Sequence, residues 1–359
     1  MSAPKVFASL FTVFVVISSM LAQAQQTDAA PTTGSGQPGV TSSSPHNLSM
    51  ADLWAKNTED FSTPALTGSE FAPTNPLTYE KDDEGSFTRE IVRVGWRLGD
   101  PIDIYILRPA GNARSPLVMY LYSYPFETDR FLRKDFCDFL VRDAYTAIGF
   151  ATALTGQRYH DRPMKEWFVS ELKESLATSS HDVQLVLNYL ATRKDLNLDM
   201  DHVGIFGDGS GATIAILAAS VDSRIKTLDL LDPWGDWPDW MAKSTLVPEE
   251  ERARYVKPEF LAGVANFDPI KILPTMLDQK IRMRDIKTVT VTPNTAKEKI
   301  ESSAPQSVEI LRYENAEDFR TAGATEGFDW IKAQIKPLPQ STSADATPQG
   351  HSAPAAKRQ

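Results

Sequence analysis

The sequence predicts an α/β protein: a mixed, mostly parallel sheet with helices on both faces and an antiparallel hairpin at its start. Three observations carry this expectation. Val92, Val94 and Trp96, then Ile102, Ile104 and Ile106, alternate with polar residues on either side of Leu98-Gly99-Asp100, which is a hairpin signature. Beyond it, short apolar runs such as residues 116–121 are nearly continuous, as strands covered on both faces are. Those runs alternate with helix-period segments, the order that builds parallel crossovers.

The elements follow in chain order. Lys5, an apolar run over residues 6–21 and Ala22-Gln23-Ala24 read as an export signal, 1–24, cleaved after Ala24. The run is too short for the roughly 20 residues of a spanning helix, so no stable membrane anchor is expected after cleavage. Export would deliver the chain to the periplasm or the outside of the cell. Residues 25–50 and 338–359 are Ser, Thr, Pro, Gln, Gly and Ala with few large apolar side chains, so they read as a disordered linker and tail. The folded unit should span 51–337. Within it, Phe131, Phe136, Phe139 and Leu140 give a helix and 145–150 a strand. Ser179-Ser180-His181-Asp182 resembles a capping box ahead of the apolar stripe Val183, Val186, Leu187 and Leu190. Strands at 202–206 and 225–231 flank an apolar helix at 212–220. Residues 236–279 show no strand and are broken by five prolines, so they read as an insertion over one end of the sheet. A strand at 280–285, a helix at 294–302, a strand at 308–313 and a last helix to Ile335 complete the unit.

Composition narrows function. With 42% apolar and 23% charged residues the chain has a core and is neither fibrous nor disordered. Its formal net charge of −10 lacks the cationic surface that nucleic acid requires, and no basic amphipathic helix suggests a membrane surface. Cys137 is the single cysteine, beside Phe136 in a predicted helix, so it reads as a small buried hydrophobe. Neither an intrachain disulfide nor a thiolate metal site can form, and no spacing of histidines and carboxylates suggests a metal or other cofactor.

The chemistry should lie where strand residues 203–206 run into Gly207-Asp208-Gly209-Ser210-Gly211 and then a helix. Strand, glycine-rich turn and helix is the architecture of a nucleophile elbow, in which G-x-S-x-G lifts a serine above a helix N-terminus. With the helix before it, the helix after it and the strand ending in Asp232-Pro233-Trp234-Gly235, the chain resembles the α/β-hydrolase superfamily, in its dienelactone-hydrolase and acyl-esterase-like branch, over about 89–335. The resemblance implies the α/β-hydrolase fold and a serine, acid and histidine in that order.

Position by position, the pattern is altered. Gly209 stands at the nucleophile, and a shifted register would make Ser210 the nucleophile, flanked by Asp208 and Ala212. Tyr122-Ser123-Tyr124-Pro125 replaces the His-Gly-x-Pro of the oxyanion loop. Val289 falls at the acid, with Asp232 and Asp285 as substitutes in another register. The histidine loop reads Glu314-Asn315-Ala316-Glu317-Asp318-Phe319, with Asp318 at the base, and the remaining downstream histidine is His351 in the tail. Without a general base, about 10²–10⁴-fold of catalysis is lost. His160 and His181 read as structural, one in a bonded loop and one near a helix N-cap. Trp234, Trp237 and Trp240 follow a strand's carboxyl end, where they either pack the insertion or line a pocket. The expected function is a binding or structural module without hydrolysis, with a small-molecule ligand near the elbow; the alternative is a weak or unorthodox carboxylic-ester hydrolase using Ser210. No protein partner can be named from the sequence.

Overall fold

The computed structural model describes residues 59–335, apart from 68–72, 74, 98, 112, 124–128, 155–157 and 159–167. The expected signal, linker and tail, with Tyr124 and His160, lie outside the described residues. Nine strands form one sheet: β1 (Leu77–Asp83), β2 (Phe87–Arg97), β3 (Asp100–Pro109), β4 (Ser115–Leu121), β5 (Thr146–Phe150), β6 (Leu198–Asp208), β7 (Ile225–Leu231), β8 (Lys280–Ile286) and β9 (Glu309–Tyr313). Their spatial order is β1-β2-β3-β5-β4-β6-β7-β8-β9. The first three strands and the β3–β5 join are antiparallel, and every pairing from β5 to β9 is parallel. The expected hairpin pairs Val92 with Ile104 and Val94 with Ile102. All seven residues of β4 are buried, as a strand covered on both faces requires.

Two layers of helices make two cores. On one face, Cys137 and Leu140 of α1 (Lys134–Val141) pack with Ile331 of α7 (Ala316–Gln334). On the other lie α2 (Leu172–Thr192) and α3 (Ser210–Ala219), together with α4 (Trp237–Lys243) and α5 (Pro258–Val264) from the segment between β7 and β8. That segment contains short helices and single turns and no strand; α6 (Asn294–Ser303) follows β8. All ten residues of α3 are buried, which fits a helix apolar on every side. No helix among the described residues is long and apolar enough to cross a membrane.

One strand was not foreseen and one local expectation needs correction. β1, Leu-Thr-Tyr-Glu-Lys-Asp-Asp, has little apolar alternation because it is an exposed sheet edge, joined to β2 partly by Arg89 bridging Glu80 and Asp82. The capping-box reading of Ser179-Ser180-His181-Asp182 also fails, because α2 begins at Leu172 and this run is mid-helix. Its polar groups are satisfied elsewhere: Ser179 Oγ donates to the Ser175 carbonyl (2.7 Å) and Ser180 Oγ to the Pro64 carbonyl (2.9 Å).

Candidate functional site at the elbow

β6 ends at Asp208, α3 begins at Ser210, and Gly209 between them has φ 54° and ψ −114°. This is the first central position of a type II′ turn, natural to glycine and strained for other residues. The flanking glycines are fixed by contact. A Cβ on Gly207 would lie 2.5 Å from Ala212 Cα, and one on Gly211 would lie 2.2 Å from the Leu121 carbonyl oxygen, so the turn and α3 press directly on each other and on β4. A Cβ on Gly209 itself would stand 2.2 Å from Ser123 Oγ, 2.8 Å from Ser123 Cβ and 3.1 Å from Trp234 Nε1. The space where a nucleophile would project is filled by Ser123. The backbone N–H of Ser210 donates to Ser123 Oγ at 3.4 Å. Ser210 itself is fully buried, which keeps its side chain from an incoming acyl group. Thr213 pins the neighbouring loop, its Oγ1 donating to the Trp234 carbonyl (2.8 Å) and accepting from the Trp234 N–H (2.9 Å).

Around this turn the strands' carboxyl ends bring acids together. Asp208 is partly exposed, yet burial of its surroundings, reinforced by the Asp232 charge and opposed by Arg130 and Arg284, pushes its carboxyl up to about 7. Asp232, just past β7, has φ 45°, and its Oδ1 accepts from the Ile286 N–H (3.0 Å) and Lys297 Nζ (2.5 Å). Burial raises its pKa and Lys297 opposes the rise. Neither oxygen of the buried Asp285 accepts a hydrogen bond from a described group. Burial, then the charge of Asp232 and the neighbouring Glu301, push its carboxyl well above the usual carboxylate range. Tyr122 is buried beneath the Arg130 guanidinium, 3.7 Å above its ring, and burial pushes its phenol up to about 12.

Solved structures share this fold. Acetyl xylan esterase 1 from Thermoanaerobacterium sp. superposes with a TM-score of 0.57 at 12% identity, over 74% of this chain and 87% of that one. The acetyl xylan esterase of Paenibacillus sp. R4 gives 0.53 at 15% identity, over 80% of this chain and 99% of its own. The chain has the α/β-hydrolase fold. A glucuronoyl esterase from Solibacter usitatus is similar at a TM-score of 0.50 and 13% identity, over 74% of this chain and 87% of that one. No family model and no curated protein matches the sequence.

Within this α/β-hydrolase fold the remaining expected positions have structural occupations. Val289 is half-buried in the turn after β8, its N–H bonded to the Ile286 carbonyl. Asp318 is exposed in the first turn of α7, where Asn315 caps the helix by accepting from the Glu317 (2.8 Å) and Asp318 (3.0 Å) N–H groups and donating to Asp318 Oδ2 (3.1 Å). Of the two readings of the tryptophans, packing of the insertion fits and a pocket at Trp234 and Trp237 does not: with Trp240 they are at most 1% exposed, and the Trp240 ring lies 5.1 Å from that of Trp234 and 5.8 Å from that of Trp237. A cavity of about 240 Å³, lined by Arg108, Ser115, Asp143 and Tyr145 among others, opens at the opposite end of the sheet. His181 is fully buried in mid-helix, away from an N-cap. No group of residues fit to hold a metal ion occurs among the described residues. Sequence reading singled out neither Thr213 nor Lys297, and it took Ser123 only as an altered loop position; each acquires its role through contacts far apart in the chain.

Proposed function

We propose that this protein keeps the α/β-hydrolase frame without serine-hydrolase chemistry and acts, after export directed by residues 1–24, as a binding or structural module with a small-molecule ligand near the elbow. One observation carries this reading: Gly209 stands at the nucleophile position and the Ser123 side chain fills the volume a nucleophile would need. The loop after β9 adds to it, since Asp318 there lies in the first turn of α7, bonded to the Asn315 cap, and supplies no imidazole.

Carboxylic-ester hydrolysis is the second reading, and the fold shared with acetyl xylan and glucuronoyl esterases favours it. The burial of Ser210 argues against that residue as its nucleophile, leaving Ser123 as the hydroxyl at the elbow. Turnover of p-nitrophenyl acetate by the wild type, Ser210→Ala and Ser123→Ala separates the two. Hydrolysis no faster than buffer, unchanged by either substitution, supports the module. Catalysed hydrolysis abolished by one of them establishes the esterase and names its serine.

A further inference from the structure

Three carboxylates and two guanidiniums surround His181 where residues 59–66 cross α2 as a strap. Asp182 Oδ1 accepts from Arg97 Nη1 and its Oδ2 from Arg158 Nη1, both at 2.5 Å; Arg158 also grips Asp100 through Nε (2.8 Å) and Nη2 (2.5 Å). Arg97 Nε donates to Glu59 Oε2 at 2.6 Å, tying β2 to the strap. The side chains of His181 and Asp182 are fully buried, and those of Glu59 and Arg158 nearly so.

His181 Nδ1 lies 2.7 Å from Glu59 Oε1, and Nε2 lies 2.9 Å from the Thr63 carbonyl oxygen. Both partners belong to the strap, and both are acceptors. Burial alone would raise the Glu59 carboxyl, but hydrogen bonds from Arg97 and His181 outweigh it and hold Glu59 down at about 2, so it has no proton to give. Arg97 Nη2 also donates to Glu59 Oε1, so a neutral imidazole, with one N–H, either turns the Nδ1 lone pair against the Glu59 carboxylate or leaves the Thr63 carbonyl without this donor; an imidazolium donates to both. The charge balance agrees. Glu59, Asp100 and Asp182 against Arg97 and Arg158 leave one negative charge, which the imidazolium cancels; Asp60, exposed on the strap, is the further charge facing the ring. Remaining ties of the strap are neutral: Leu66 N–H to Gln184 Oε1, Ser180 Oγ and Gln184 Nε2 to the Pro64 carbonyl, Asn266 Nδ2 to the Ser62 carbonyl, and Phe61 stacked on the imidazole at 6.1 Å.

We propose that His181 is a pH-sensitive latch: doubly protonated, it fastens the strap of residues 59–66 across α2, and loss of one proton slackens the strap. The sign follows from the bonds. The fastened form holds the extra proton, so fastening is favoured at acid pH and weakens as pH rises.

Hydrogen exchange read on peptides covering 59–67 of the full chain, corrected for intrinsic rates, tests the latch. Wild-type strap protection should be at least about tenfold greater at about pH 5.5 than at about pH 9, equivalent to about 1.4 kcal/mol, while β4 stays protected at both. Glu59→Gln offers a neutral ring an amide partner and should flatten this response; it alters the strap side, so it also serves if His181→Gln does not fold. Ring-nitrogen NMR should show both His181 nitrogens protonated at the acid pH and one of them deprotonated where protection falls. Equal wild-type protection at both pH values, an unchanged response in Glu59→Gln, or a singly protonated ring beneath a fastened strap overturns the proposal.

Discussion

At position 209 a side chain has no room. Gly209→Ser would set its Cβ 2.2 Å from Ser123 Oγ, at a positive φ that costs a non-glycine residue about 1–3 kcal/mol. Gly209→Ser should therefore destabilise the protein by at least about 2 kcal/mol in urea denaturation. Adding Ser123→Gly should recover part of the loss, with a coupling above about 0.5 kcal/mol; strict additivity would place the two side chains apart. Asp208 gives a pH test. Because its folded-state carboxyl is raised to about 7, the fold favours the protonated form, and stability is lost as pH climbs from the unfolded carboxylate range through 7. Asp208→Asn removes that loss, so its melting temperature relative to wild type should rise between about pH 5 and about pH 8; a fall would contradict the assignment. The glycine at 209 and the histidine-free loop after β9 were readable because they are local facts of the chain. The plug was not, since Ser123 and Ser210 stand 87 positions apart and meet through β4 and β6 lying side by side.

Single side chains anchor whole elements to the sheet. Lys297 fixes α6 to the ends of β7 and β8, donating to Asp232 Oδ1 (2.5 Å) and the Ile286 carbonyl (2.6 Å) from a nearly buried position. Lys297→Met should cost about 3–5 kcal/mol at neutral pH, because it strands a buried carboxylate. Acidification that protonates Asp232 should narrow the gap, a difference that denaturation at two pH values reads directly. Helix positions followed from apolar spacing wherever a helix had one wet face. The start of α2 did not, because its polar residues serve buried bonds to the strap and to arginines. The polar edge strand β1 likewise lacked the alternation that announces a half-buried strand.

Across the whole molecule the parallel order was readable because buried strands leave apolar runs and crossovers leave helical periods. Its charged interior was not. Asp229 on β7 accepts from both Arg282 and Arg284 on β8, all at most 4% exposed, within a strand pair that a pattern of apolar residues cannot forecast. The frame thus holds a hydrolase architecture while the turn at its centre is closed by a serine from another loop. Reaction with an excess of a fluorophosphonate, followed by intact-mass spectrometry and peptide mapping, asks whether any serine there is activated, whatever the natural ligand. The closed elbow predicts an unchanged mass; one stoichiometric phosphonyl adduct on Ser123 or Ser210 would contradict it.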